Sequence, residues 1–117
     1  MKILFGIKNC DTVKKAVTNL TNQRIAFEFH NFKTDGIDRN TLKSWADQVG
    51  WEKLVNKKST TWRSLPVEIQ NSIKDSDSAI AILGTHTSLI KRPVLVEDER
   101  ILAIGFDETV YQSLNQK

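Results

Sequence analysis

An α/β fold, a mixed sheet covered by helices, is the class this sequence predicts, and three observations carry the prediction. Residues 2–32 read strand, helix, strand. Residues 51–90 carry helical pieces without clear strand alternation. Residues 92–114 read as two β-rich runs followed by a helix. At 117 residues one domain is expected, large enough to bury about two thirds of its unfolded surface without disulfides or metal.

The first strand is the apolar run "KILFGI" at residues 2–7, ended by the polar "KNCD". From Asp11 the period changes. Val13, Ala16, Val17 and Leu20 recur at helical spacing, with Asp11 and Thr12 in the first turn of the predicted helix. "RIAFEFHNF" then alternates, Ile25, Phe27 and Phe29 on one face and Glu28 and His30 on the other, which predicts a second strand. Strand, helix, strand implies a parallel unit with a right-handed crossover.

After the "TDG" turn, Asp38 is placed to cap a helix carrying Leu42, Trp45, Ala46 and Val49, stopped by Gly50. "LPVEIQNSI", with Pro66 suited to a first turn, and "SAIAIL" predict further short helices. In "RPVLVEDERILAIGF" an acidic turn separates two β-rich runs, so a hairpin is expected to pair Val94–Val96 with Ile101–Ile104. Asp107 caps a last helix with Val110, Tyr111 and Leu114 inward. This order describes an α/β sandwich of the thioredoxin type, although pattern alone leaves other topologies of the same order open.

Hydrophobic residues make up 39% and charged residues 26%, a composition that folds rather than stays disordered. No apolar run is long enough for a membrane span, and the apolar part of the N-terminus is too short for a secretory signal, so the cytoplasm is the expected location. A single cysteine excludes an internal disulfide, and His30 and His86 are too scattered for a structural zinc site, so no metal is expected. The net charge of +3 favours anions. Its densest basic segment, "VNKKSTTWR", is too short for a nucleic-acid stripe, which favours a small anion over direct nucleic-acid binding.

Cys10 falls between the first strand and the first helix. Free amides and the helix dipole there favour an anion by roughly 0.3–1 kcal/mol when exposed, which lowers a thiol pKa and raises its thiolate fraction. A lone cysteine is also often a buried apolar filler. The polar neighbours Lys8, Asn9 and Asp11 argue against a core position. Lys8 and an arginine are expected to extend the shift, and Asn9 and Thr12 can orient the sulfur or simply cap the helix. Pro93 starts a strand; a cis Arg92-Pro93 bond would turn the Arg92 side chain toward the Cys10 turn.

The segments "FGIKNCDTVKKA", "TTWR" and "LIKRPVL" resemble the arsenate reductase (ArsC)/Spx family, most closely its YffB-like branch, over nearly the whole chain. The resemblance implies a thioredoxin-like core at 1–35 and 90–117 with a helical insert at about 36–89. It also implies a cysteine nucleophile at Cys10, an anion-binding arginine at Arg92 and a cis-proline at Pro93. Arsenate reductases of this family use three arginines around the oxyanion. Here Gly105 stands where one belongs, and "NKKSTTWR" lacks a secure counterpart of another, which a lysine cannot replace as a planar fork. Spx regulators carry a Cys-x-x-Cys switch, whereas Cys10-Asp11-Thr12-Val13 has one cysteine.

What remains is one-cysteine chemistry resembling a monothiol glutaredoxin, with glutathione as co-substrate and no tightly bound cofactor. Lys8, Arg63 and Arg92 are candidates for the two glutathione carboxylates. The expected partner is glutathione or a glutathionylated thiol, met by a monomer that engages no membrane. The alternatives are an Spx-like regulator that binds RNA polymerase without turnover and a glutathione-coupled arsenate reductase. Trp62 is a candidate pocket wall and His86 a candidate proton shuttle, though each also reads as ordinary packing or a solvated loop residue. His30 reads as structural.

Overall fold

Strand β1 (Lys2–Gly6) runs through the middle of a four-stranded sheet, in a computed structural model that describes residues 1–114. Helix α1 (Asp11–Asn22) follows and returns the chain to β2 (Phe27–Asn31), parallel to β1, with Leu4 opposite Phe29. Strand β3 (Val94–Glu97) lies antiparallel on the other side of β1, and β4 (Arg100–Ile104) completes the order β2-β1-β3-β4. The final helix, α7 (Glu108–Ser113), is capped by the Asp107 carboxylate, which accepts from the amides of Thr109 and Val110. This mixed sheet with its βαβ and ββα halves is the thioredoxin-like arrangement.

The chain divides into two units: Met1–Asp35 together with the segment from Arg92 onward, and Gly36–Lys91. Residues 115–117 of the expected core lie outside the described residues. Ile90 and Lys91, expected in the core, belong to the helical unit. Ile90 bridges to Val55, and the Lys91 amide donates to the Leu54 carbonyl at 2.8 Å.

In the first unit Leu4, Ala16, Leu20, Leu95, Ala103 and Tyr111 form the buried core, with Val17, Ile25, Phe27, Phe29, Val110 and Leu114 packed on it. The apolar spacing of α1 thus faces the sheet, as the sequence predicts. Lys2 and Glu97, opposite each other on β1 and β3, form a part-buried ion pair at 2.8 Å. The Tyr111 hydroxyl is buried without a hydrogen-bond partner among the described residues, and burial raises its pKa, so it stays protonated.

Strand β2 is shorter than the alternation suggests. Arg24 takes φ +60° just after α1, its amide donating to the Thr21 carbonyl while that of Ile25 donates to Leu20. That is a helix-ending motif with arginine where glycine is usual, and it consumes the residues before Phe27. At the other end Phe32 opens the short helix α2 (Phe32–Asp35), whose Lys33 amide is held by the Asn31 side chain at 2.9 Å. The β3–β4 hairpin turns on Asp98 and Glu99, both at positive φ, and its register slips beside Leu95 and Val96.

The second unit is helical. Its elements are α3 (Arg39–Val49), α4 (Thr60–Ser64), α5 (Val67–Ser72) and α6 (Ser76–Thr85), with single 3-10 turns at Trp51–Lys53 and Thr87–Leu89. Asp38 caps α3 as the sequence predicts, and Gly50 closes it by donating to the Ala46 carbonyl at 2.8 Å. Asp75 and Ser78 form a reciprocal capping box on α6. Leu42, Trp45, Leu54, Ala79, Leu83 and Leu89 are buried.

Candidate functional site

Cys10 is the N-cap of α1, in extended conformation, and its carbonyl accepts the first intrahelical bond from Lys14 at 2.9 Å. The residue is half-buried and not part of the core. Its side chain makes no hydrogen bond of regular capping geometry. Partial burial pushes the thiol pKa up. The amide of Val13, the guanidinium of Arg92 and the amide of Thr12 more than offset that, and the net pKa lies below the ordinary thiol value.

Arg92 reaches the sulfur because of strand order. β3 runs antiparallel beside β1, with Val94 opposite Phe5, so the residues that precede β3 lie next to the end of β1 and the turn that follows it. The Arg92-Pro93 peptide bond there is cis. Pro93 is buried, and Arg92 is half-buried. The expected pairing of the Arg92-Pro93 segment with the Cys10 turn is therefore built by sheet topology.

Two glycines also position this site. A Cβ on Gly6 would lie 2.8 Å from a methyl of Val13, so only glycine lets the end of β1 pass this close to the residue whose amide faces the sulfur. The signal in the sequence is a glycine inside an otherwise apolar strand. Gly105, at φ +76°, donates its amide to the Pro93 carbonyl at 2.8 Å. Arginine would be strained in that left-handed conformation, where glycine is at ease. The structure thus gives Gly105 a backbone role that the missing-arginine reading did not anticipate.

The remaining candidates separate. Lys8 and Asn9 are exposed in the Cys10 turn, but neither contributes to lowering the thiol pKa, contrary to the expectation for Lys8. Thr12 acts on the sulfur through its backbone amide. Arg63 and Trp62 lie on α4, which is capped by the Ser59 hydroxyl and tied through the Trp62 carbonyl to the Gln70 amide at 2.7 Å. Arg63 is exposed; Trp62 is half-buried, with the Lys57 ammonium 5.7 Å from its ring centre. His86 ends α6, its amide donating to Ile82. His30 packs in an aromatic group with Phe5, at 4.7 Å between ring centres, and Phe32. Among the described residues no group of His, Cys, Asp or Glu is placed to hold a metal, and no helix is long and apolar enough to cross a membrane.

Comparison with known proteins agrees with this architecture. An uncharacterized protein of Haemophilus influenzae is 45% identical over 97% of each chain. A solved structure named YFFB protein is 40% identical, covers 97% of each chain and superimposes with a TM-score of 0.90. The global transcriptional regulator Spx of Streptococcus pyogenes is 29% identical over 92% of this chain and 80% of its own. The model of the ArsC family matches residues 5–114. With a thioredoxin-like sheet, a cysteine at the first helix start and an Arg-Pro pair entering β3, this chain belongs to the ArsC family.

Proposed function

We propose that the protein is a glutathione-dependent thiol-disulfide oxidoreductase working through the single thiolate of Cys10. The observation that carries this reading is the convergence of two helix-start amides and the Arg92 guanidinium on one half-buried sulfur. The Cys10 thiolate attacks the glutathione sulfur of a mixed disulfide, forming a Cys10–glutathione disulfide. The substrate sulfur leaves as a thiolate and takes a proton from water. A second glutathione thiolate then attacks the bound glutathione sulfur, releasing glutathione disulfide and restoring Cys10. One cysteine suffices for this cycle, since the substrate and two glutathione molecules supply every other sulfur. Arg92 holds the thiolate and a carboxylate of the tripeptide, and Lys8, in the same turn as Cys10, supplies further positive charge for the second carboxylate.

The decisive assay follows reduction of a glutathione mixed disulfide by wild-type and Cys10→Ser protein. The variant is expected to fall to the uncatalysed background, and equal rates would end this reading. A second reading, a regulator that binds RNA polymerase without turnover, is favoured by the likeness to proteins named as global transcriptional regulators. Co-purification with polymerase subunits tests it. Arsenate reduction is disfavoured by Gly105, which stands where the family resemblance places one of three oxyanion-binding arginines.

A further inference from the structure

Beside the Cys10 turn runs a groove of about 520 Å³ between α1 and β2. Val13 and Val17 of the helix and Phe27 and Phe29 of the strand line it with hydrocarbon, while Lys8 and Lys14 bring ammonium groups to it. It exists because β2 is the edge strand, where α1 meets no further strand on its outer side. Phe27 and Phe29 share the face that packs on the core, yet both remain only half-buried. Both lysines are exposed, and neither forms an ion pair with a described residue.

The groove borders the reactive turn through two of its lining residues. Lys8 lies in the same turn as Cys10, and the residue that contributes its side chain to the groove, Val13, contributes its amide to the sulfur. We infer that this groove docks an extended segment of a protein substrate, one bulky apolar side chain flanked by acidic residues, whose own cysteine is thereby presented to Cys10. The apolar side chain covers Val17 and Phe29, and the acidic flanks meet Lys8 and Lys14. A basic segment is rejected by the same two ammonium groups. This docking role rests on the thiol-disulfide reading for what Cys10 does to the bound partner, but the binding itself involves no sulfur.

Binding is therefore measured with a thiol-free probe: a fluorescein-labelled peptide carrying a single leucine between acidic pairs, titrated with the wild-type chain by fluorescence anisotropy. Two controls replace the acidic residues by lysine or the leucine by serine. The acidic leucine peptide is expected to bind, and both controls to bind about tenfold more weakly. Lys14→Glu and Thr18→Trp, at exposed positions on the groove wall, are each expected to weaken it by a similar factor, with circular dichroism unchanged. Absence of binding, equal binding of either control, or affinity indifferent to both substitutions would overturn the docking role. If Cys10→Ser retained full reductase activity while the peptide still bound, the reading of Cys10 would fail and the groove assignment would stand.

Discussion

The sheet unit and the helical unit are held together in different ways. In the first, strands distant in sequence lie side by side, and Cys10 and Arg92 meet because β1 and β3 are antiparallel neighbours. In the second, short helices are fixed by local caps, Asp38 on α3, Ser59 on α4 and Asp75 on α6, and the cations Lys57 and Arg63 are placed by those local turns. Chemistry that needs two groups at one point is thus assigned to the nonlocal unit.

The largest expected effect probes the sheet. Leu4, fully buried on β1, is predicted to cost about 2–5 kcal/mol when changed to alanine, read from urea unfolding. Loss of much less than this would mean that the sheet core is not the main support of the first unit. Next comes Gly6→Ala, which overpacks the approach of β1 to Val13 and is expected to cost about 1–3 kcal/mol. Because the displaced residue is the one whose amide faces Cys10, the same variant is expected to raise the alkylation midpoint of the thiol; an unchanged midpoint would sever strand geometry from thiol chemistry.

In the helical unit, Asp38→Ala removes the α3 cap and is expected to cost about 1 kcal/mol while leaving the pH profile of Cys10 alkylation where it was. The smallest effect is the most selective. Cys10 has a folded pKa below its unfolded value, so its ionisation stabilises the fold above the unfolded pKa, and that contribution is lost as pH falls through the folded one. Arg92→Ala removes one cause and is predicted to move the alkylation midpoint up, whereas Arg63→Ala leaves it in place. A shift with Arg63→Ala as large as that with Arg92→Ala would erase the distinction between the units.

Much of this architecture was legible in the residues. The spacing of Val13, Ala16, Val17 and Leu20, the alternation around Phe27 and Phe29, and the carboxylates at Asp38 and Asp107 each reflect a local rule that tertiary structure did not override. The end of α1 was not legible, because Arg24 adopts a conformation that composition associates with glycine. Pairing of Cys10 with Arg92 was reachable through the Arg-Pro segment and family resemblance, since no periodicity reports which strands become neighbours. Gly6 and Gly105 escaped notice as positioning residues because their contribution is the space or backbone angle they permit. Lys8 looked like a partner of the sulfur from its nearness in sequence, yet the electrostatic work is done by amides and by an arginine at the far end of the chain.

The bond from the Gly105 amide to the Pro93 carbonyl fastens the exit of the hairpin to its entrance. The residue that follows the guanidinium-bearing Arg92 is thereby tied to the residue that follows β4, which brackets the hairpin at its open end. Deuterium uptake at that one amide becomes a remote gauge of whether the bracket is shut, legible by spectroscopy without touching the sulfur.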